Sequence, residues 1–219
     1  WPRGWSSWPA DGPSRPEQAV CRGASWPAPY TRGMVTARRT FDDRVLQGDG
    51  FLLRRPVLAD VDRIVTACTD EETQRWLPLP RPYGPAEAMA FVDTHAPTTF
   101  REGTGLVSAI EVDGLLAGMI DIVDVSWRNL TVEIGYWISP DRRGQGLAGR
   151  AAALLARWAL TEQGMERAEI RAATGNVGSQ RAALAAGFVR EGVLRSAGTT
   201  HEGRVDLVVY GLTRQDLVS

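Results

Sequence analysis

The sequence predicts a single α/β domain built on one mixed sheet with an antiparallel hairpin in its middle. Three observations point there. Strand-like runs flank Asp113-Gly114, a hairpin turn pair, in the middle of the chain. A run of alternating apolar residues over 131–138 passes through a glycine-rich turn into an amphipathic helix. The remaining runs interleave as β-α-α-β-β-β-α-β-α-β, and the central hairpin argues against a doubly wound parallel sheet.

Residues 1–33 are rich in proline, glycine, serine and tryptophan without helical or alternating period, so residues 1–49 are expected to be an extended or disordered leader and 50–219 the folded domain. FLLRRPV, from Phe51, reads as a strand that Pro56 limits. Asp60 is a plausible N-cap for a helix over 61–77, with Val61, Ile64, Val65 and Cys68 on one face. After the turn-rich LPLPRPYGP, residues 86–96 form a second short helix. In LTVEIGYWI, Val132, Ile134, Tyr136 and Ile138 share one face of a strand; Thr131, Glu133, Gly135 and Trp137 share the other. Leu147, Ala151, Leu154, Leu155 and Trp158 then recur at helical spacing up to Gly164. RAEIRAAT returns as a strand, VGSQRAALAA as a helix stopped by Gly187, and VDLVVYGL as a last strand after a glycine-rich turn.

Composition narrows the function. The 219 residues, 43% hydrophobic and 23% charged, suit one soluble globular core, and a net charge of −1 gives no pull toward nucleic acid or anionic membrane. All 25 basic residues are arginine, which removes Schiff-base and P-loop lysines. Two cysteines and two histidines without ligand spacing predict no disulfide framework and no metal. No 18-residue apolar run or signal-like leader is read, so the expected location is cytoplasmic.

The segment SPDRRGQGLAG, residues 139–149, carries the most chemistry. Gly144, Gly146 and Gly149 spell the dinucleotide signature G-x-G-x-x-G. That signature needs a glycine directly after the opening strand and an acid at the end of the next one. Here Ser139 to Arg143 intervene, and Glu166 and Glu169 begin the next strand. The nicotinamide reading is set aside. A glycine turn at a strand-to-helix junction still offers N–H groups and a positive helix end to a pyrophosphate. Arg142 and Arg143 can add charge-assisted hydrogen bonds, the alternative being a surface loop with solvated arginines.

Arg143-Gly144-Gln145-Gly146-Leu147-Ala148 resembles the R/Q-x-x-G-x-G/A signature of the GCN5-related N-acetyltransferases (GNAT). Five ordered segments, LRRPVLADVDRI, LPRPYGPAEAMAFV, VEIGYWISPDRRGQGLA, NVGSQRAALAAGF and GRVDLVVYGLTRQDL, resemble its ribosomal-protein-alanine (RimL/RimJ-like) branch over roughly residues 51–217. The resemblance implies a GNAT fold: a twisted, mostly antiparallel sheet with a splayed parallel strand pair, flanked by helices. It implies transfer of an acetyl group from acetyl-CoA to a primary amine by direct attack on the thioester, without a metal. The acceptor is a protein N-terminal amine or a small molecule such as a polyamine or antibiotic; homodimers also occur in the family. A non-catalytic acyl-CoA-binding or sensing protein is the alternative.

Site residues follow from the same resemblance. Coenzyme A contacts are expected from Trp137, Ile138 and Ser139 on the strand, from Arg142, Arg143, Gly144, Gln145, Gly146, Leu147, Ala148 and Gly149 in the loop, and from Asn176 and Ser179. Glu133 is the candidate base, or else a carboxylate paired with arginine. Gly135 is expected at a bulge or close backbone approach. The tyrosine that many members carry after N-x-x-A-x-x-L falls at Ala183; Ser179 is the candidate for positioning the leaving sulfur, or else a first-turn hydroxyl. Trp76 and Tyr83 are expected over the acceptor groove, or else in a packed loop, and Asp206 is expected to be structural.

Overall fold

The computed structural model describes residues 39–217. Eight strands form one sheet in the order β1-β2-β3-β4-β5-β6-β8-β7. They are β1 (Leu46–Gly48), β2 (Phe51–Arg54), β3 (Leu106–Val112), β4 (Leu115–Ser126), β5 (Thr131–Ile138), β6 (Arg167–Ala173), β7 (Val189–Thr200) and β8 (Gly203–Thr213). Every pairing is antiparallel except β5 with β6. This is the mixed sheet that the pattern predicts, with the one parallel pair that the family resemblance implies.

Strand alternation sends two sets of side chains to two cores. On one face Ile120, Ile122, Val132, Ile134 and Ile170 pack against Leu147, Ala151 and Leu155 of α5 (Leu147–Thr161), with Ala183 of α6 (Val177–Ala185). On the other face Val107, Ala109, Met119 and Trp137 pack under α1 (Val61–Thr69) and α3 (Pro85–Ala90).

The helix expected over 61–77 is two helices. Asp70 is extended (φ −61°, ψ 136°) and caps α2 (Glu71–Trp76), its carboxylate accepting from the Thr73 N–H at 3.0 Å. The helix expected to end at 96 continues from α3 through a π turn at Phe91–His95 into α4 (Ala96–Glu102). Pro97, which lacks an N–H, enters α4 just after that widened turn.

Two strands escaped the sequence reading. β7 is an edge strand, mostly exposed, and interrupted where its register shifts near Gly192 and Gly198, so it shows no apolar alternation. β1 has three residues. It belongs to the segment expected to be leader, and so does Phe41, which is 3% exposed and lies 5.0 Å from the Trp127 ring and 5.9 Å from the Trp158 ring. The ordered fold therefore reaches back past Gly50, because Phe41 fills the first core; residues 1–38 of the expected leader lie outside the described residues.

Phe41→Ala is expected to cost about 3 kcal/mol in urea denaturation, as an emptied aromatic core site does. A cost below about 0.5 kcal/mol, typical of a surface change, would show that the segment does not contribute to the core.

Candidate active site

The site begins where the sheet divides. β5 and β6 pair only over Thr131–Glu133 and Arg167–Glu169, although β5 runs on to Ile138 and β6 to Ala173. Beyond that point β5 stays paired with β4, and β6 with β8. The two strands leave a V-shaped slot whose facing backbone edges are unpaired by strand hydrogen bonds. Gly135 lies on one arm. The bulge sits on the partner strand instead: β4 shifts register between Ile122 and Asp124, and Val123 fills the space above Gly135, 3.1 Å from where a Cβ would stand. The absent side chain accommodates that bulge.

At the mouth of the slot, just beyond β5, lies Ser139, whose hydroxyl is buried without a hydrogen-bond partner among the described residues. A 3-10 turn at Pro140–Arg142 follows, then the glycine loop and α5. Gly144 (φ +76°) and Gly146 (φ +68°) are left-handed with open space around them, so backbone conformation and not crowding calls for glycine there. The first helical bond runs from the Arg150 N–H to the Gly146 carbonyl at 3.2 Å, so the N–H groups of Leu147, Ala148 and Gly149 precede it and form the electropositive start of α5. Gln145 is exposed on the loop.

Two expected coenzyme contacts have other work for their side positions. The Leu147 side chain is buried in the first core. A Cβ on Gly149 would stand 3.1 Å from the Ala182 carbonyl and 3.2 Å from the Ala185 Cβ, so this glycine lets α5 approach α6. The G-x-G-x-x-G match thus joins two loop glycines to one packing glycine.

The base of the V holds a carboxylate network. The Glu133 carboxylate lies 3.4 Å from Arg171, which is closer, at 2.9 Å, to Glu169. Burial pushes the Glu133 carboxyl above its ordinary range, Arg171 opposes this, and Glu169 and Asp124 add to it. Glu169, bonded by both Arg167 and Arg171, is held below the ordinary range against its own burial. Glu133 is therefore the carboxyl of this pair poised to gain a proton.

On the α5 face, Tyr136 reaches across the slot to α6. Its hydroxyl donates to the Ser179 carbonyl at 2.9 Å and lies 3.2 Å from the Ser179 Oγ. Asn176 caps α6, its side-chain oxygen accepting from the Ser179 N–H at 2.9 Å. Ala183 is fully buried in the core, so a phenol reaches the first turn of α6 from β5 instead. The sequence placed Tyr136 on the correct face of β5 but gave no sign of its partner.

A family description of an acetyltransferase (GNAT) domain matches residues 51–189, which contain the slot, the loop and most of the sheet. The chain belongs to the GNAT acetyltransferase family. It is 31% identical over 135 residues to YdaF of Bacillus subtilis, provisionally described as a ribosomal N-acetyltransferase, covering 60% of this chain and 74% of that protein. It is 30% identical over 95 residues to the ribosomal-protein-serine acetyltransferase of Escherichia coli, covering 43% and 53%. RimJ of Mycobacterium smegmatis, solved in complex with CoA-disulfide, has the same fold with a TM-score of 0.72 at 21% identity, covering 80% of this chain and 88% of that one.

On this GNAT scaffold the two residues expected over the acceptor groove part company. Trp76, at the end of α2, is half-buried; its indole donates to Glu72 at 2.8 Å, and its ring lies 3.0 Å from where a Gly175 Cβ would stand. Tyr83 is 8% exposed and packs in the second core, with its hydroxyl beside the Cys68 thiol, so it is a residue of the packed loop. Asp206 accepts from the Ser196 N–H at 2.7 Å and pins the irregular turn of β7. Among the described residues no group of three or more His, Cys, Asp or Glu side chains is placed to hold a metal ion.

The GNAT sheet also buries a carboxyl that the sequence did not single out. Asp121 of β4 is 4% exposed, accepts from the Ser108 N–H at 3.3 Å, and is pushed up to about 8 by burial. At a pH below its ordinary value of 3.8 it is protonated in both folded and unfolded chains. As pH rises toward 8 the unfolded chain ionises first, so stability falls across that window and levels off above it. Asp121→Asn is expected to remove this slope, so that the variant gains on the parent by a few kcal/mol (about 1.4 per pKa unit) between pH 4 and 8. Denaturation curves at several pH values read it; parallel profiles would contradict a buried neutral Asp121.

Proposed function

We propose that this enzyme acetylates a primary amine, a protein N-terminal amine in the first instance, using acetyl-CoA. The observation that carries the reading is the slot between β5 and β6, with an N–H-rich loop at its mouth and a raised-pKa carboxyl at its base. The likeness to two relatives named as ribosomal acetyltransferases supports the protein acceptor.

The chemistry follows from what each group offers. The pyrophosphate lies over Gly144–Ala148 and the start of α5, where backbone N–H groups and the helix dipole favour an anion. Among the described residues the Arg142 ion pairs are long, to Asp113 (3.7 Å) and Asp141 (3.9 Å), which leaves its charge available there. The pantetheine arm runs along Trp137, Ile138 and Ser139 as an added strand, taking up the backbone edge that β6 abandons and the buried Ser139 hydroxyl. Asn176 and Ser179 border the slot from the β6 arm.

The thioester is already activated, so the amine attacks directly. A C–N bond forms as the carbonyl electron pair moves to oxygen, where an inner-edge N–H of β5 stabilises it. Glu133 accepts the amine proton directly or through water. The C–S bond then breaks with its electron pair going to sulfur, which Ser179, held by Tyr136, positions for protonation. Tyr136 is pushed up to about 12 by burial, which keeps its phenol protonated as a hydrogen-bond donor.

Glu133→Gln is expected to lower kcat about 100-fold, within the range of general-base losses. Because the Glu133 carboxyl is raised, activity rises as pH climbs through its pKa, and the variant should lose that limb. An unaltered pH–rate profile would remove Glu133 as the base. Gly146→Val is expected to weaken acetyl-CoA binding about tenfold by straining a left-handed position; unchanged affinity by calorimetry would sink the loop assignment. Coenzyme A release against N-terminal peptides and small amines tests the reaction itself. Tight acetyl-CoA binding with no turnover on any acceptor would identify a non-catalytic acyl-CoA-binding protein instead.

A further inference from the structure

The loop has two adjacent arginines, and the fold uses them differently. The Arg143 guanidinium turns away from the loop toward α2. One terminal nitrogen donates to Asp70 at 2.5 Å and to the Thr73 hydroxyl at 2.8 Å, while Nε donates to the Ile138 carbonyl at 3.2 Å. Asp70 and Thr73 are the N-cap and third residue of α2, and the same Asp70 oxygen accepts the Thr73 N–H. Arg143 holds the Asp70 carboxyl below its usual range against its own burial.

The far end of α2 touches the other arm of the V. Trp76 ends the helix, and its ring lies against Gly175 in the turn between β6 and α6, just before Asn176. The helix therefore spans the slot, from the loop that follows β5 to the turn that follows β6. It does so on the face opposite α5, the face to which Glu133 and Trp137 point. Helices α5 and α6 fill the other side. A helix fixed across the open end of the slot, on the face that Glu133 shares, is placed to limit access to a thioester held between the strands.

We propose that Arg143 is a positioning residue: it clasps the start of α2 to the coenzyme loop and so holds α2, with Trp76 at its far end, as a roof that keeps water out of the slot. The proposal rests on the slot being the acetyl-CoA site. It assigns the anion-facing charge of the loop to Arg142 and the backbone, and gives Arg143 to the acceptor side.

Two variants and two acceptor-independent readouts test it. Arg143→Met removes the clasp from one side. Asp70→Ser removes it from the other while keeping α2 capped, because Ser caps as well as Asp but its shorter side chain does not reach the Arg143 guanidinium. Calorimetry with acetyl-CoA measures coenzyme affinity, and coenzyme A release in the absence of any amine measures thioester hydrolysis by water. Wild-type protein that does not bind acetyl-CoA would remove the underlying site, separately from the clasp. Given binding, both variants are expected to keep acetyl-CoA affinity within about fivefold, the scale of one partly exposed ion pair, and to raise hydrolysis at least about threefold (a barrier change of under 1 kcal/mol). The double variant should hydrolyse no faster than the faster single variant, because both cut one interaction. An Arg143→Met variant that loses more than about tenfold in affinity, as a lost charge-assisted phosphate bond would, overturns the proposal. So does hydrolysis that stays at the wild-type rate in Asp70→Ser, which remains decisive if Arg143→Met does not fold.

Discussion

A β-sheet gains its stability by pairing every interior backbone edge, and this one leaves two interior edges apart. β5 and β6 separate after three residue pairs, yet each remains bonded on its outer side, to β4 and to β8. The cost of the unpaired edges is tolerable because both face a slot and not an apolar core. Everything around the slot follows from that divergence. The loop sits at its mouth because β5 ends there, the carboxylate network sits at its base because pairing ends there, and α2 crosses it on the open face.

Around this division the polar groups settle which carboxyl does what. Glu133 and Glu169 are cross-strand neighbours competing for Arg171. Glu169 has a second arginine, Arg167, and becomes the structural anion; Glu133 is left with the weaker contact and the raised pKa. Asp121 is a different case, a buried carboxyl on the second core's side, kept neutral by burial against the pull of one backbone donor, Ser108, among the described residues. Glu133 and Asp121 thus sit on the same face of the sheet, on the neighbouring strands β5 and β4.

The α5 face shows how a fold can replace one residue with another. The tyrosine position familiar from the family resemblance is Ala183, and the core closes around it. A phenol still arrives at the first turn of α6, from Tyr136 on the opposite arm of the slot. The two arms are therefore joined twice, by Tyr136 on one face and by α2 on the other, which holds the slot at a fixed width without strand pairing.

Much of this was legible in local sequence, because it depends on local period. Alternation along 131–138 put Glu133 and Tyr136 on opposite faces of one strand, and the glycine turn before an amphipathic helix placed an anion site at the start of α5. Where the sequence reading failed, the deciding contacts were remote. β7 is a strand only because β8 pairs with it, and Phe41 is core only because Trp127 and Trp158 close over it. Tyr83 and Gly149 carry no local mark of being packing residues. Arg143 and Asp70 lie 73 residues apart, so no spacing announces that they meet. Sequence alone determined which residues could hold an anion or a proton; tertiary structure decided which of them were free to do so, because an ion pair or a hydrogen bond formed across the fold uses up the same donors.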